Sequence, residues 1–116
     1  MTKASLQASS VETIYYPEDF RFYLKNEFDI RLKRRPHYSL RAFARDLEVS
    51  PSTLSDFLNS KVGLSKVRVH QLSKKLNYSP AQRDHWWDLV EAKFARDVES
   101  RKLAKVRAQA RALESK

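Results

Sequence analysis

The stretch SLRAFARDLEVSPSTLSDFLN, residues 39–59, decides the fold that this sequence predicts. Apolar residues recur at helical spacing on either side of a short break, which indicates two short helices. They are Leu40, Phe43, Ala44 and Leu47 before the break, and Leu54, Phe57 and Leu58 after it. Ala44 is small enough for two helices to cross closely, and Val49 fills the corner between them. The pattern is typical of a helix-turn-helix, which presents its second helix to a DNA major groove. An ordinary helical hairpin in a small bundle has the same spacing.

The composition narrows the class of protein. The chain has 116 residues, no Cys, one Gly and a formal net charge of +9. The excess of Lys and Arg suits a polyanionic partner, with nucleic acid the first candidate and an anionic membrane surface the second. The lack of Cys excludes disulfides and thiolate chemistry. With no strand-like alternation, the sequence predicts an all-α protein.

Three further helices and two flanking segments complete the predicted organisation. Pro17 suits a first helical position, and a helix from there to about Arg34 carries an apolar stripe. The stripe comprises Phe20, Leu24, Phe28 and Leu32, with Tyr23 beside it. Ser65 and Ser79 are typical N-caps of a fourth and a fifth helix, as Ser39 and Ser50 are of the second and third. We expect a disordered arm over residues 1–13, a five-helix helix-turn-helix domain over 14–96 and a basic helical tail over 97–116.

The tail allows two interpretations. It contains no Gly or Pro, so its intrinsic helix propensity is high. Leu103, Val106, Ala110 and Leu113 form a short heptad-like stripe that would pair with a second copy of the chain. Alternatively, the segment is a basic arm that lies along phosphates. A homodimer through the C-terminal helix therefore stays open as a prediction.

Candidate DNA contacts follow from the predicted third helix, residues 51–59. The candidate base-contacting residues are Ser52, Thr53, Ser55, Asp56 and Asn59. Asn can pair with adenine and Asp can accept from cytosine, but the helix has no Arg or Lys for guanine. Most affinity should therefore come from positive side chains on phosphates. The candidate phosphate contacts are Arg41, Arg45, Lys61, Lys66 and Arg68.

Other chemistry-bearing residues have simpler interpretations. The basic run Lys33, Arg34 and Arg35 either solvates the end of the first helix or contacts phosphate. Trp86 and Trp87 fit core packing better than a base-stacking platform. His37, His70 and His85 fall in separate segments without metal-ligand spacing, and we expect each at the surface or partly packed. No nucleophile with a base, paired carboxylates or phosphate-cradling loop is present, so we expect no catalysis, cofactor or metal.

The run YSLRAFARDLEVSPSTLSDFLNSKVGLS, with FRFYLKNEF before it and HWWDLVEAKFAR after it, resembles a bacterial family. It is similar to the N-terminal part of the DUF4423-type regulators of predatory bacteria such as Bdellovibrio and of Fibrobacter. The helix-turn-helix itself resembles the lambda-repressor-like, or XRE, class. The resemblance covers about residues 19–113 and implies a transcriptional regulator. Members of the family usually continue into a larger C-terminal domain, and this sequence ends where that domain would start. Similar sequences often have Gly at the positions of Glu48 and Ser60 and a basic residue at Val62, so Glu48 and Asn59 or Ser60 must adopt the backbone that Gly favours.

The sequence therefore predicts a small all-α protein that binds double-stranded DNA as a regulator or nucleoid-associated factor. The alternative is a protein-interaction module of the same fold that partners or antagonises a full-length regulator without binding DNA. Binding of the tail to a membrane is disfavoured because the tail lacks large aromatic residues beyond Phe94. With no apolar run of signal-peptide or membrane-spanning length, we expect a cytoplasmic protein at the nucleoid.

Overall fold

A computed structural model describes residues 16–114, and the arm predicted over residues 1–13 lies outside them. Six α-helices and no strand occur in that range, which confirms the all-α prediction. They are α1 (Phe22–Arg34), α2 (Leu40–Leu47), α3 (Pro51–Leu58), α4 (Lys66–Lys75), α5 (Pro80–Phe94) and α6 (Val98–Glu114).

Four helices begin at the serines that the sequence indicated. The Oγ atoms of Ser39, Ser50, Ser65 and Ser79 each accept a hydrogen bond from the backbone N–H three residues later, at 3.0–3.1 Å. At Ser79 the Gln82 side chain accepts in return from the Ser79 backbone N–H at 2.8 Å. These caps satisfy N–H groups that lack a partner in the first turn of a helix, so they fix where α2 to α5 start.

Three helices end on residues with left-handed backbone, and none of the three is glycine. Glu48, Ser60 and Asn77 follow α2, α3 and α4 with φ of 62°, 60° and 60°. Each turn is closed by two hydrogen bonds, such as Lys61 N–H to Asp56 C=O at 3.0 Å and Ser60 N–H to Phe57 C=O at 3.3 Å. Glu48 and Ser60 thus adopt the backbone for which glycine is favoured, whereas Asn59 has a φ of −98°.

The first helix begins later than the sequence predicted. The start at Pro17 is wrong, because residues 18–21 form a turn and α1 begins at Phe22. The Asp19 side chain accepts a hydrogen bond from the Arg21 backbone N–H at 2.9 Å and pairs with its guanidinium at 2.7 Å. These bonds from Arg21 lower the pKa of the Asp19 carboxyl. A short polar side chain that bonds the backbone two residues on favours a turn over a helix here.

The core lies where α1 to α5 meet and confirms most of the predicted stripe residues. Buried apolar side chains include Leu24, Phe43, Ala44, Leu47, Leu54, Phe57, Val69, Leu72, Trp86 and Val90. Leu40 belongs to the apolar pattern of the predicted second helix, but it is 43% exposed. As the first residue of α2, it points back past the start of the helix, where no preceding turn covers it.

The tail helix α6 folds back and packs along α5, a contact that the sequence analysis did not predict. Ala104 and Ala108 are buried, whereas Leu103, Val106 and Leu113 of the predicted stripe are 55%, 60% and 68% exposed. Small alanines let two helices approach closely, so α6 docks through its alanine face. Its leucines and valines stay exposed to solvent.

Candidate nucleic-acid interface

A hydrogen-bonded turn and a shared apolar core hold α3 in place against α2. A three-residue turn joins the helices, and the Val49 N–H donates to Ala44 C=O at 3.0 Å across it. Leu54 and Phe57 of α3 are buried, and Val49 packs against the same core. The opposite face of α3 is polar, so this helix presents hydroxyl, carboxylate and amide groups outward.

The structure separates the five candidate base-contacting residues into two groups. Ser52, Ser55 and Asn59 are exposed, whereas Thr53 and Asp56 are half-buried. The Thr53 hydroxyl accepts a hydrogen bond from Ser50 Oγ at 2.7 Å, so part of its capacity is used in the cap. Asn59 Nδ2 donates to Ser55 Oγ at 3.3 Å, which aligns these two side chains along one edge of α3.

The five candidate phosphate contacts lie on α2, after α3 and on α4. Arg41, Arg45, Lys61 and Lys66 are exposed, and Arg68 is half-buried. Arg45 comes within 3.9 Å of Asp46, the outer limit of an ion pair. For the other four cations, no carboxylate among residues 16–114 lies within ion-pairing distance. They are therefore available to an external anion.

A groove of about 450 Å³ between the α2–α3 turn and α4 brings Arg68 together with two cations that the sequence analysis missed. Lys74 and Lys75 line this groove with Gln71 and Glu48. Lys75 Nζ lies 2.9 Å from Glu48 Oε2. The available signal was the composition of α4, KVRVHQLSKK, which carries four Lys or Arg residues and no acidic one.

Other basic side chains are engaged inside the fold. Arg31 Nε pairs with Glu27 at 2.9 Å, and its Nη1 donates to the Tyr38 hydroxyl at 3.1 Å and pairs with Asp46 at 3.2 Å. Burial raises the pKa of the Tyr38 hydroxyl, which donates to Asp46 at 2.6 Å. Of the basic run that ends α1, Arg35 lies over the Tyr38 ring at 4.6 Å. The number of Lys and Arg side chains that can bind a ligand is therefore smaller than the number in the sequence.

A buried polar network joins α5 to α6 and to the segment before α1. His85 is buried, with Nε2 at 2.8 Å from Pro17 O and Nδ1 at 3.3 Å from Arg111 Nη1. The prediction of a surface or partly packed histidine at this position is wrong. The contact with Pro17 spans 68 residues, so the sequence around His85 does not indicate it. Burial lowers the pKa of His85. Asp88 is also buried and pairs with Arg107 at 3.1 Å and Arg111 at 2.9 Å.

The tryptophan pair belongs to the core. Trp86 is fully buried, and its ring centroid lies 5.4 Å from that of Tyr23 and 6.1 Å from that of Tyr78. Trp87 is half-buried and packs against the same cluster. Core packing is therefore confirmed for this pair, and Trp86 offers no face to a base.

Among residues 16–114 no three His, Cys, Asp or Glu side chains come together as metal ligands, and no helix is long and apolar enough to cross a bilayer. Neither protein-family models, nor curated proteins, nor solved structures gave a match to this sequence. The resemblance to the bacterial regulator family stays a prediction.

Proposed function

We propose that this protein binds double-stranded DNA through a helix-turn-helix formed by α2 and α3, as a transcriptional regulator or nucleoid-associated factor. In this proposal α3 enters the major groove, and cations on the flanking elements contact phosphates. The observation that carries it is the polar outer face of α3 with unpaired, exposed cations beside it in the chain, at Arg41, Lys61 and Lys66.

The distribution of charge supports a nucleic-acid partner. Residues 39–77 contain seven Lys or Arg residues and three acidic ones, a net charge of +4. Several cations of α1 and α6 are held in internal ion pairs, whereas most of those on α2 and α4 are not. A cluster of unpaired cations gains free energy by releasing the counterions condensed on DNA.

The chemistry of α3 supports modest base discrimination. Ser52, Ser55 and the C-cap Asn59 are the exposed groups that can form hydrogen bonds to base edges, and the helix has no Arg or Lys to bind guanine through two hydrogen bonds. Contacts to phosphate position a protein on the duplex without reading its sequence. We therefore expect strong dependence of affinity on salt and a small preference among sequences.

The deciding experiment is a titration of the full chain on a random duplex at several salt concentrations, with light scattering on the same sample. Submicromolar affinity and a linear fall of log K with log salt would support the proposal. A folded helical protein that fails to bind at low salt would contradict it. The mass from light scattering gives the oligomeric state. It tests whether the apolar stripe of α6 pairs with a second copy of the chain.

A protein-interaction module of the same fold is the second candidate. The exposed stripe of Leu103, Val106 and Leu113 on α6 favours it, because these apolar side chains lie along one face of the helix without cover from residues 16–114. Such a stripe fits a second copy of the chain or a helix of a partner. Dimer mass without duplex binding would favour this candidate.

A further inference from the structure

Glu48 places a carboxylate beside the cations of the groove between the α2–α3 turn and α4. Its Oε2 atom lies 2.9 Å from Lys75 Nζ, and the same groove is lined by Arg68, Lys74 and Gln71. Three cations in one groove repel each other unless an anion sits among them. Among the described residues that line it, Glu48 is the only acidic one.

Glutamate is conformationally unfavourable at position 48. Its φ of 62° and ψ of 41° are left-handed, where glycine carries no steric penalty and a side chain does. Its carboxylate has no ion-pair partner within residues 16–114 other than Lys75. We therefore attribute the role of the Glu48 side chain to its charge and not to the backbone conformation of the turn.

The pair is open to competition. The side chain of Glu48 is 73% exposed and that of Lys75 is 34% exposed. Ion pairs between exposed side chains are weak and screened by salt. A phosphate can accept hydrogen bonds from more than one cation at once, so a phosphate that bridges these cations can displace the carboxylate. Displacement would leave Lys75, Lys74 and Arg68 facing the new anion.

We propose that Glu48 is an internal competitor for a phosphate site formed by Arg68, Lys74 and Lys75, and that it restrains the binding of a DNA backbone phosphate there. This inference rests on the proposed function for the identity of the anion. The proposed site adds a phosphate contact at the C-terminal end of α4, opposite to Lys66 at the N-terminal end. It also gives the α2–α3 turn a role in setting the affinity for DNA.

The test compares Glu48→Gln with Glu99→Gln in the full chain, both measured on a random duplex over a range of salt. Gln keeps the length and backbone preference of Glu, so only the charge changes. Glu99 is exposed on α6 and forms no ion pair within the described part of the chain, so its variant reports the general effect of one lost negative charge. Glu48→Gln should tighten binding on the order of threefold more than the control and steepen the salt slope by about one.

A double-mutant cycle identifies Lys75 as the released cation. Lys75→Gln should change affinity little in the wild-type chain, where Glu48 holds the ammonium, and should abolish the gain in the Glu48→Gln background. Equal effects of Lys75→Gln in both backgrounds would overturn the inference. So would a Glu48→Gln variant that behaves like Glu99→Gln.

A second probe separates failure of this inference from failure of the proposed function. Tripolyphosphate is titrated into isotope-labelled protein while amide shifts of Gln71, Lys74 and Lys75 are followed. Saturation at lower concentration in Glu48→Gln than in wild type would support the groove as an anion site even if no duplex binds. Equal saturation in the two proteins, or no shifts at these amides, would overturn it whatever the duplex result.

Discussion

Arg111 of α6 donates from Nη1 to the Oδ2 atom of Asp88 on α5 at 2.9 Å, and this pair fastens the last helix to the bundle. The Asp88 carboxylate is buried, and its other oxygen accepts from Arg107 Nε at 3.1 Å. Arg107 also reaches Glu91 at 2.8 Å. Two arginines one helical turn apart on α6 thus converge on α5, which sets the register in which Ala104 and Ala108 dock.

Asp88→Asn should lower the free energy of unfolding by about 2 kcal/mol, because two charge-assisted hydrogen bonds weaken and both arginines lose their shared counter-charge. Urea denaturation followed by the fluorescence of Trp86 and Trp87 measures this change. Asp29→Asn is the matched control, since Asp29 is exposed on α1. Equal midpoints for the two variants would show that the pair does not hold α6.

His85 should make the protein less stable as the pH falls through the ordinary histidine pKa of 6.5. Burial lowers the pKa of His85, so between that lowered value and 6.5 the unfolded chain binds a proton that the folded chain does not. By linkage, stability then decreases on acidification. Arg111 also opposes the charged ring, whereas Asp88 and the Pro17 carbonyl favour it.

The measurement is the difference in Tm between pH 7.5 and pH 5.5 for wild type, His85→Gln and His37→Gln. The wild type and His37→Gln, which changes an exposed histidine, should lose more than His85→Gln over this interval. Hydrogen bonds from Arg21 and Ser100 lower the pKa values of the Asp19 and Asp97 carboxyls from their ordinary 3.8, so neither carboxyl contributes to this difference in Tm. An identical loss in all three proteins would exclude His85 as the source.

Gly63 is required by the close approach of Phe94. A Cβ atom at residue 63 would lie 2.8 Å from Phe94 Cγ and 3.0 Å from Phe94 Cβ. Phe94 is itself fixed edge-on against Phe20, with ring centroids 5.4 Å apart. Gly63→Ala should therefore lower the free energy of unfolding by about 1–3 kcal/mol, as overpacking typically does.

A double-mutant cycle with Phe94→Leu tests the cause. Leucine is smaller, so Gly63→Ala should cost less in the Phe94→Leu background than in the wild type. The readout is again the urea midpoint. If the two losses are additive, the added methyl group destabilises the protein through contacts other than the one with Phe94.

Local signals made much of the fold predictable. Ser50 with Pro51 and Ser79 with Pro80 marked helix starts, because a serine cap followed by proline satisfies the first turn without tertiary help. The spacing of Leu54 and Phe57 then identified the buried face of α3. These elements need only neighbours in sequence to be recognised.

The features that were missed depend on contacts between distant residues. Leu103, Val106 and Leu113 dominate the periodicity of α6, yet the helix docks through Ala104 and Ala108. Alanine carries little hydrophobic signal, and its advantage of close packing exists only when a partner helix is present. His85 likewise meets Pro17 only in the folded chain, and Lys75 meets Glu48 only when α4 packs beside the turn.

The candidate phosphate contacts on α2 give the sharpest test of how the protein would sit on DNA. Arg41 and Arg45 lie one turn apart on α2 and are both exposed. Each phosphate contact contributes about 0.9 to the slope of log K against log salt, so replacing both with Ala should lower its magnitude by about 1.8. Lys102→Ala with Lys105→Ala removes the same charge from exposed positions on α6 and should leave the slope nearly unchanged. Titrations of a random duplex at four or more salt concentrations give the slopes. A fall of the same size in both double variants would mean that affinity follows total charge, and α2 would lose its assigned place at the interface.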